Sequence, residues 1–250
     1  MTGRVVLVTG ASRGVGAETA RLLATSGAHV YVNYRDKAKR AERVVAEIVA
    51  AGGRAWPLKA DLTDPIAVTA MLDEVRERSG RLDALVLNAS GGMERDRDLG
   101  YAMRLNRDAQ VRVLETALPL MPALSRVVFV TSHQAHFHGR RPGYAAYEAV
   151  AESKRAGEDA LRAKIPELRE RGVGLVVVSG DMIEGTITVT LLDRAEPGIV
   201  DARRAEARSL PTVGEFAAEV AKAVVEPLET GHTVYVGGAD YLTLTAPGRG

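Results

Sequence analysis

Cysteine is absent from this chain, so disulfides, thiol nucleophiles and thiolate metal sites are excluded at the outset. Neither charge dominates: 33 basic and 32 acidic residues leave a formal net charge of +1. With no basic block either, nucleic acid and anionic membrane are not expected partners. Long hydrophobic runs are also missing. The N-terminal MTGRVVLVTGASRG carries a short apolar run, too short for a signal peptide core or a membrane span, so a soluble cytoplasmic protein is expected. Repeats, low-complexity tracts and linkers are lacking too. What is present is 250 residues, 46% of them hydrophobic, enough for one sizeable core.

Short β-branched runs recur along that length, each followed by a helical pattern. They are RVVLVTG (4–10), AHVYVNYR (28–35), WPLKADL (56–62), LDALVLNAS (82–90), RVVFVTS (126–132), VGLVVVSG (173–180) and TVYVGG (233–238). Several are nearly continuous Val and Leu, as strands covered on both faces should be. Between them lie amphipathic segments such as 17–27 and 37–53, the latter closed by Gly52-Gly53. In 64–80, Asp64 is the expected N-cap, Pro65 the first helical residue and Gly80 the stop. This alternation predicts an α/β fold, a doubly wound and mainly parallel sheet of seven strands with helices on both faces. A single domain over 1–250 is expected, with residues after Gly238 partly loose.

The first strand runs into Thr9, Gly10, Ala11, Ser12, Arg13, Gly14, Val15 and Gly16, where a helix opens. Glycines at G-x-x-x-G-x-G spacing let backbone approach a pyrophosphate, and a helix N-terminus adds N–H groups and positive dipole. The loop TGASRGVG resembles the cofactor loop of the short-chain dehydrogenase/reductase family. Further pieces follow in that family's order, from residue 4 to about 238. Asp61-Leu62 is similar to the pair that meets adenine, and Asn88, Ala89 and Ser90 of LNAS to the family's N-N-A-G. SGDMIEGT (179–186), with Gly180 and Ile183, stands in for the loop over the nicotinamide. The resemblance implies a Rossmann-type domain and a nicotinamide cofactor.

Charge chooses between cofactors. An NAD-binding strand usually ends in an acid that accepts from the ribose and repels a 2′-phosphate. Here Tyr34 holds that position, Arg35 follows, and Arg13 sits in the glycine loop. Two guanidiniums can clamp a phosphate dianion, so NADP(H) is expected.

In this family tyrosine is the general acid, lysine lowers its pKa and holds the ribose, serine binds the substrate oxygen, and asparagine holds a water linked to the lysine. The resemblance carries Asn106, Ser132 and Lys154 onto those roles, with Ser153-Lys154-Arg155-Ala156 matching S-K-x-A. The tyrosine does not carry over directly, because Val150 stands four residues before Lys154. Tyr147 lies one turn earlier and, by helical geometry, on the same face as Val150 and Lys154. Its segment PGYAAY also resembles the approach to the family's tyrosine, which makes Tyr147 the expected acid and Tyr144 the reserve. Since seven helical residues advance about 10.5 Å, direct contact with Lys154 needs a bulge, or a link through water or ribose.

Three other readings stay open. His133, His136 and His138 follow Ser132; without nearby acids they predict no metal, though one of them could replace the tyrosine as donor. The chain could be an NADP(H)-binding pseudoenzyme, a sensor or scaffold. It could also be a reductase protonated by its own substrate or water. Met93, Glu94 and Tyr101 are expected near the substrate, and 186–212 as a helical lid. Small residues Ala149, Ser153, Gly157 and Ala160 suggest a homodimer or homotetramer. The expected partner is a small carbonyl or alcohol, turned over as a ketone or aldehyde reductase or the reverse dehydrogenase.

Overall fold

A computed structural model describes residues 1–93, 98 and 100–242 of the chain. Its sheet is built from β1 (Val5–Val8), β2 (His29–Tyr34), β3 (Arg54–Lys59), β4 (Ala84–Leu87), β5 (Arg126–Ser132), β6 (Gly174–Gly180) and β7 (Thr233–Val236), in the order β3-β2-β1-β4-β5-β6-β7. Every pairing is parallel. This is a Rossmann-type doubly wound α/β domain. The two-residue period of a strand divides the core. Val5, Leu7, Leu85, Val127 and Val177 face one apolar layer, and Val6, Val8, Val86, Val128 and Val176 face the other.

Helices α1 (Gly14–Thr25), α2 (Ala38–Ala50) and α11 (Val213–Val225) supply the second layer, through residues such as Leu23, Val44 and Phe216. Opposite them, α3 (Pro65–Ser79), α5 (Ala109–Ala117), α7 (Glu148–Ala163) and α8 (Ile165–Glu170) contribute Leu72, Leu114, Leu161 and Leu168. The short helices are α4 (Tyr101–Met103), α6 (His133–His136) and α12 (Ala239–Leu242). The signals at both ends of α3 work as expected: Asp64 accepts from the Ile66 amide at 2.9 Å, and Gly80 is left-handed.

Some boundaries depart from the sequence reading. β3 starts at Arg54, before Pro57, and tolerates that proline because it is an edge strand paired only with β2. The segment 186–212 forms α9 (Ile187–Ala195) and α10 (Ile199–Ala207), which flank Pro197-Gly198. Within the tail expected to be partly loose, residues 239–242 are helical, and 243–250 lie outside the described residues. Between Tyr147 and Lys154 no bulge occurs: a 3₁₀ turn at Ala145–Tyr147 leads straight into regular helix from Glu148. Among the described residues, no helix is long and apolar enough to cross a membrane.

Candidate active site

One cavity of about 600 Å³ opens at the C-terminal ends of the strands, and all of the candidate cofactor residues line it, from the glycine loop to Gly180 and Ile183. Ser132, Tyr147 and Lys154 line it too. A ligand site is expected there, because the chain's connections switch sides between β1 and β4.

The glycine loop is held from beneath. Asn33 at the end of β2 accepts from the Gly10 amide at 3.1 Å, and Asn88 donates to the Thr9 carbonyl at 2.9 Å. Gly16 has no room for a side chain, since a Cβ would lie 2.5 Å from Asn88 Nδ2 and 2.8 Å from the Gly10 carbonyl. Arg13 is the N-cap of α1 without capping by its side chain, and the first turn holds no acid. Its amides therefore stay open to an anion. Asn88 thus shapes the loop from beneath and also lines the cavity.

At the end of β2, Arg35 donates to the Tyr101 hydroxyl and pairs with Asp36 at 2.6 Å. Hydrogen bonding to Asp36 and the charges around it hold the Arg35 guanidinium above its usual pKa against a desolvation cost. Lys37 and Arg40 line the same end of the cavity. Neither was expected here, although the basic run Arg35-Asp36-Lys37-Ala38-Lys39-Arg40 carries the signal.

The chemical end is set by β5 and α7. Ser132 ends β5, and its Oγ lies 3.3 Å from the Tyr147 hydroxyl while also capping α6 through the Ala135 amide. Burial raises the Tyr147 pKa, and the Ser132 contact opposes it. Lys154, 8% exposed, has no hydrogen bond or ion pair among the described residues, and desolvation lowers its pKa to about 8. Regular helix from Glu148 keeps it about two turns from Tyr147, on the order of 10 Å along the axis. Val150 is buried in an apolar cluster with Tyr147, Met182, Leu192 and Leu210. The family's usual tyrosine position is therefore filled by packing under α9 and α10.

Asn106 stands behind this group, outside the cavity lining, in a π-helical turn at Arg104–Asp108. Its amide donates to the Gly91 carbonyl (2.8 Å) and Ser153 Oγ (2.9 Å), and its Oδ1 accepts from the Gly91 amide (3.2 Å). A π-turn marks an irregularity often kept for function, and periodicity gives no sign of it. Ser153 and Gly157, half of the small-residue stripe, are consumed by this contact, so they serve packing within the chain.

The histidines are committed elsewhere. His133 bridges Ser179 Oγ (2.8 Å) and the Gly237 carbonyl (3.1 Å), and burial lowers its pKa. His136 contacts the buried Glu158 and the Tyr235 hydroxyl; His138 contacts Glu148. Among the described residues, no group of three potential ligands could hold a metal. Tyr144 packs against the apolar cluster beside Tyr147, and burial raises its pKa strongly. Met93 packs there as well, Tyr101 lines the cavity, and Glu94 lies outside the described residues.

Comparison with known proteins agrees with this geometry. The model of the short chain dehydrogenase family matches residues 4–196. A 1-cyclohexenylcarbonyl-CoA reductase from Streptomyces collinus is 33% identical, over 98% of this chain and 88% of its own length. A short chain dehydrogenase from Burkholderia cenocepacia, solved in complex with NADP, superposes with a TM-score of 0.81 at 30% identity, over 96% of this chain and 98% of that one. The angucycline C-6 ketoreductase LanV with bound NADP gives 0.77 at 28% identity, over 95% of each chain. With a matching family model over most of its length and a parallel sheet carrying the cofactor loop, this chain belongs to the short-chain dehydrogenase/reductase family, whose members are oxidoreductases that bind a nicotinamide cofactor.

Proposed function

We propose that the chain is an NADP(H)-dependent reductase of a small carbonyl compound, or the reverse alcohol dehydrogenase, with Tyr147 as donor to the substrate oxygen. The observation that carries this reading is the 3.3 Å contact between Ser132 Oγ and the Tyr147 hydroxyl inside the cavity lined by the cofactor loop and Lys154. Arg13 and Arg35, with Lys37 and Arg40 beside them, would hold a 2′-phosphate, and NADP in two solved relatives supports that choice. The open amides of α1 would take the pyrophosphate, and Lys154 the nicotinamide ribose. When bound, the nicotinamide supplies or accepts the hydride. Ser132 and Tyr147 would converge on the substrate oxygen, and burial beneath α9 and α10 strengthens both hydrogen bonds. A homodimer or homotetramer in the cytoplasm remains part of the proposal, with oligomer size read by light scattering.

A second reading is favoured by the separation of Tyr147 from Lys154. Hydride arriving at a carbonyl carbon leaves an alkoxide, a strong base that must receive a proton, and acidifying the phenol helps. Hydride arriving at the β-carbon of a conjugated carbonyl leaves a far less basic enolate. A neutral, buried phenol can stabilise that enolate by hydrogen bonding alone, while water protonates the α-carbon. The name of the Streptomyces relative, an unsaturated acyl thioester reductase, points the same way.

Deuterium transfer from 4-deuterated NADPH separates the two readings across panels of ketones, enones and enoyl thioesters. Label at a carbinol carbon supports the first, and label at a β-carbon the second. NADPH binding with no turnover on any panel would leave the binding-protein reading instead.

A further inference from the structure

Arg203 is the most deeply buried cation of α10, with its side chain 1% exposed. Its guanidinium makes a forked contact with each of two carboxylates. Nε donates to Asp181 Oδ1 (2.9 Å) and Oδ2 (3.0 Å), and Nη2 to Asp181 Oδ2 (2.7 Å). Nη2 also donates to Asp240 Oδ1 (2.7 Å) and Nη1 to Asp240 Oδ2 (3.1 Å), while Nη1 reaches Glu206 at 2.7 Å. The Tyr241 ring lies beneath it, 4.9 Å from centroid to Cζ.

These partners come from three separate pieces of the chain. Asp181 directly follows Gly180, at the end of β6, and accepts from the Met182 amide at 2.8 Å. Met182 packs in turn in the apolar cluster against Tyr147 and Val150. Asp240 lies on α12, where Tyr241 also accepts a hydrogen bond from Gln134, two residues after Ser132. A guanidinium removed from water is tolerable only with its charge matched and its donors satisfied, so α10 has one stable seat. A planar fork also fixes orientation, which a flexible ammonium would not.

We propose that Arg203 is a positioning residue that latches α9 and α10 shut over Tyr147, with Asp181 and α12 as the two halves of its keeper. Arg203 lies outside the cavity lining and acts through Asp181 and Met182, which form part of the cavity wall. The latch rests on the hydride-transfer reading for its catalytic consequence, but its structural consequence stands alone.

The test pairs Arg203→Met with Asp240→Asn, whose milder change guards against a variant that fails to fold. Trypsin cleavage at Arg194, Arg204 and Arg208, all exposed on or beside the two helices, is timed in the protein without ligand. Arg203→Met is expected to be cut there about tenfold faster, and Asp240→Asn by an intermediate factor. The carbonyl kcat/KM of Arg203→Met is expected to fall about tenfold or more, with the NADPH Kd changed less than about threefold. Arg203→Lys, which keeps charge without the fork, should recover only part of the loss. Cleavage no faster than wild type in both variants would overturn the proposal. So would a uniform fall in Tm with NADPH binding and turnover lost in parallel. Wild-type protein without any turnover would count against the hydride-transfer reading and leave the proteolysis result to judge the latch.

Discussion

Ser132 Oγ and the Tyr147 hydroxyl lie 3.3 Å apart, while Lys154, about two turns into the helix that Tyr147 leads into, hydrogen-bonds to neither. The serine and the phenol are paired, and among the described residues the ammonium has no hydrogen-bond or ion-pair partner. Substrate oxygen placed between the first two would complete a site in which lysine works on the cofactor side rather than on the tyrosine.

An unpartnered buried ammonium costs stability. Desolvation lowers Lys154 from 10.5 to about 8, so the folded chain binds fewer protons than the unfolded chain between those values. Stability from this group therefore rises with pH across that window, and the cost is fully present below about pH 8. Lys154→Met is expected to stabilise the protein at neutral pH by on the order of 3 kcal/mol, at about 1.4 kcal/mol per pKa unit. It should also weaken turnover severely. Denaturant unfolding at pH 7 and pH 10 checks this; an unchanged gap between variant and wild type would contradict it.

Gly157 touches the turn that carries Asn106. A Cβ there would lie 2.1 Å from the Asn106 carbonyl oxygen, against backbone that cannot swing away. Gly157→Ala is expected to cost about 1–3 kcal/mol or more, lowering Tm by several degrees. A Tm equal to wild type would mean that the π-turn moves freely.

Much of this was legible beforehand, for local reasons. β5 matches its expected bounds at both ends because a β-branched run closes there on Ser132, which caps the next helix. The glycine loop was legible because its conformation admits little else. What stayed hidden depends on distant partners. Arg203 reads as one more charge on a mixed helix, and its burial comes from Asp181 and Asp240, 22 and 37 residues away. Ser153 and Gly157 read as a subunit face, yet a π-turn 47 residues before Ser153 covers them. Of the two routes between Tyr147 and Lys154 that the spacing leaves open, the bulge is not taken: a 3₁₀ turn passes into regular helix, and the apolar cluster and Ser132 hold the phenol.

Cofactor choice is testable at the other end of the cavity. Arg13→Ala and Arg35→Ala are each expected to raise the NADPH Kd by about tenfold, leaving NADH binding nearly unchanged. The Arg35 effect should be the smaller, since Asp36 and Tyr101 already engage that guanidinium. Fluorescence titration with both cofactors measures it. Equal losses for NADPH and NADH would assign these arginines to the shared part of the cofactor.

The most direct test of the central claim is the single-turnover rate of hydride transfer in Tyr147→Phe. The account expects a fall of about 100-fold or more, with the NADPH Kd within about twofold of wild type. Near-full turnover in that variant would remove Tyr147 from the chemistry.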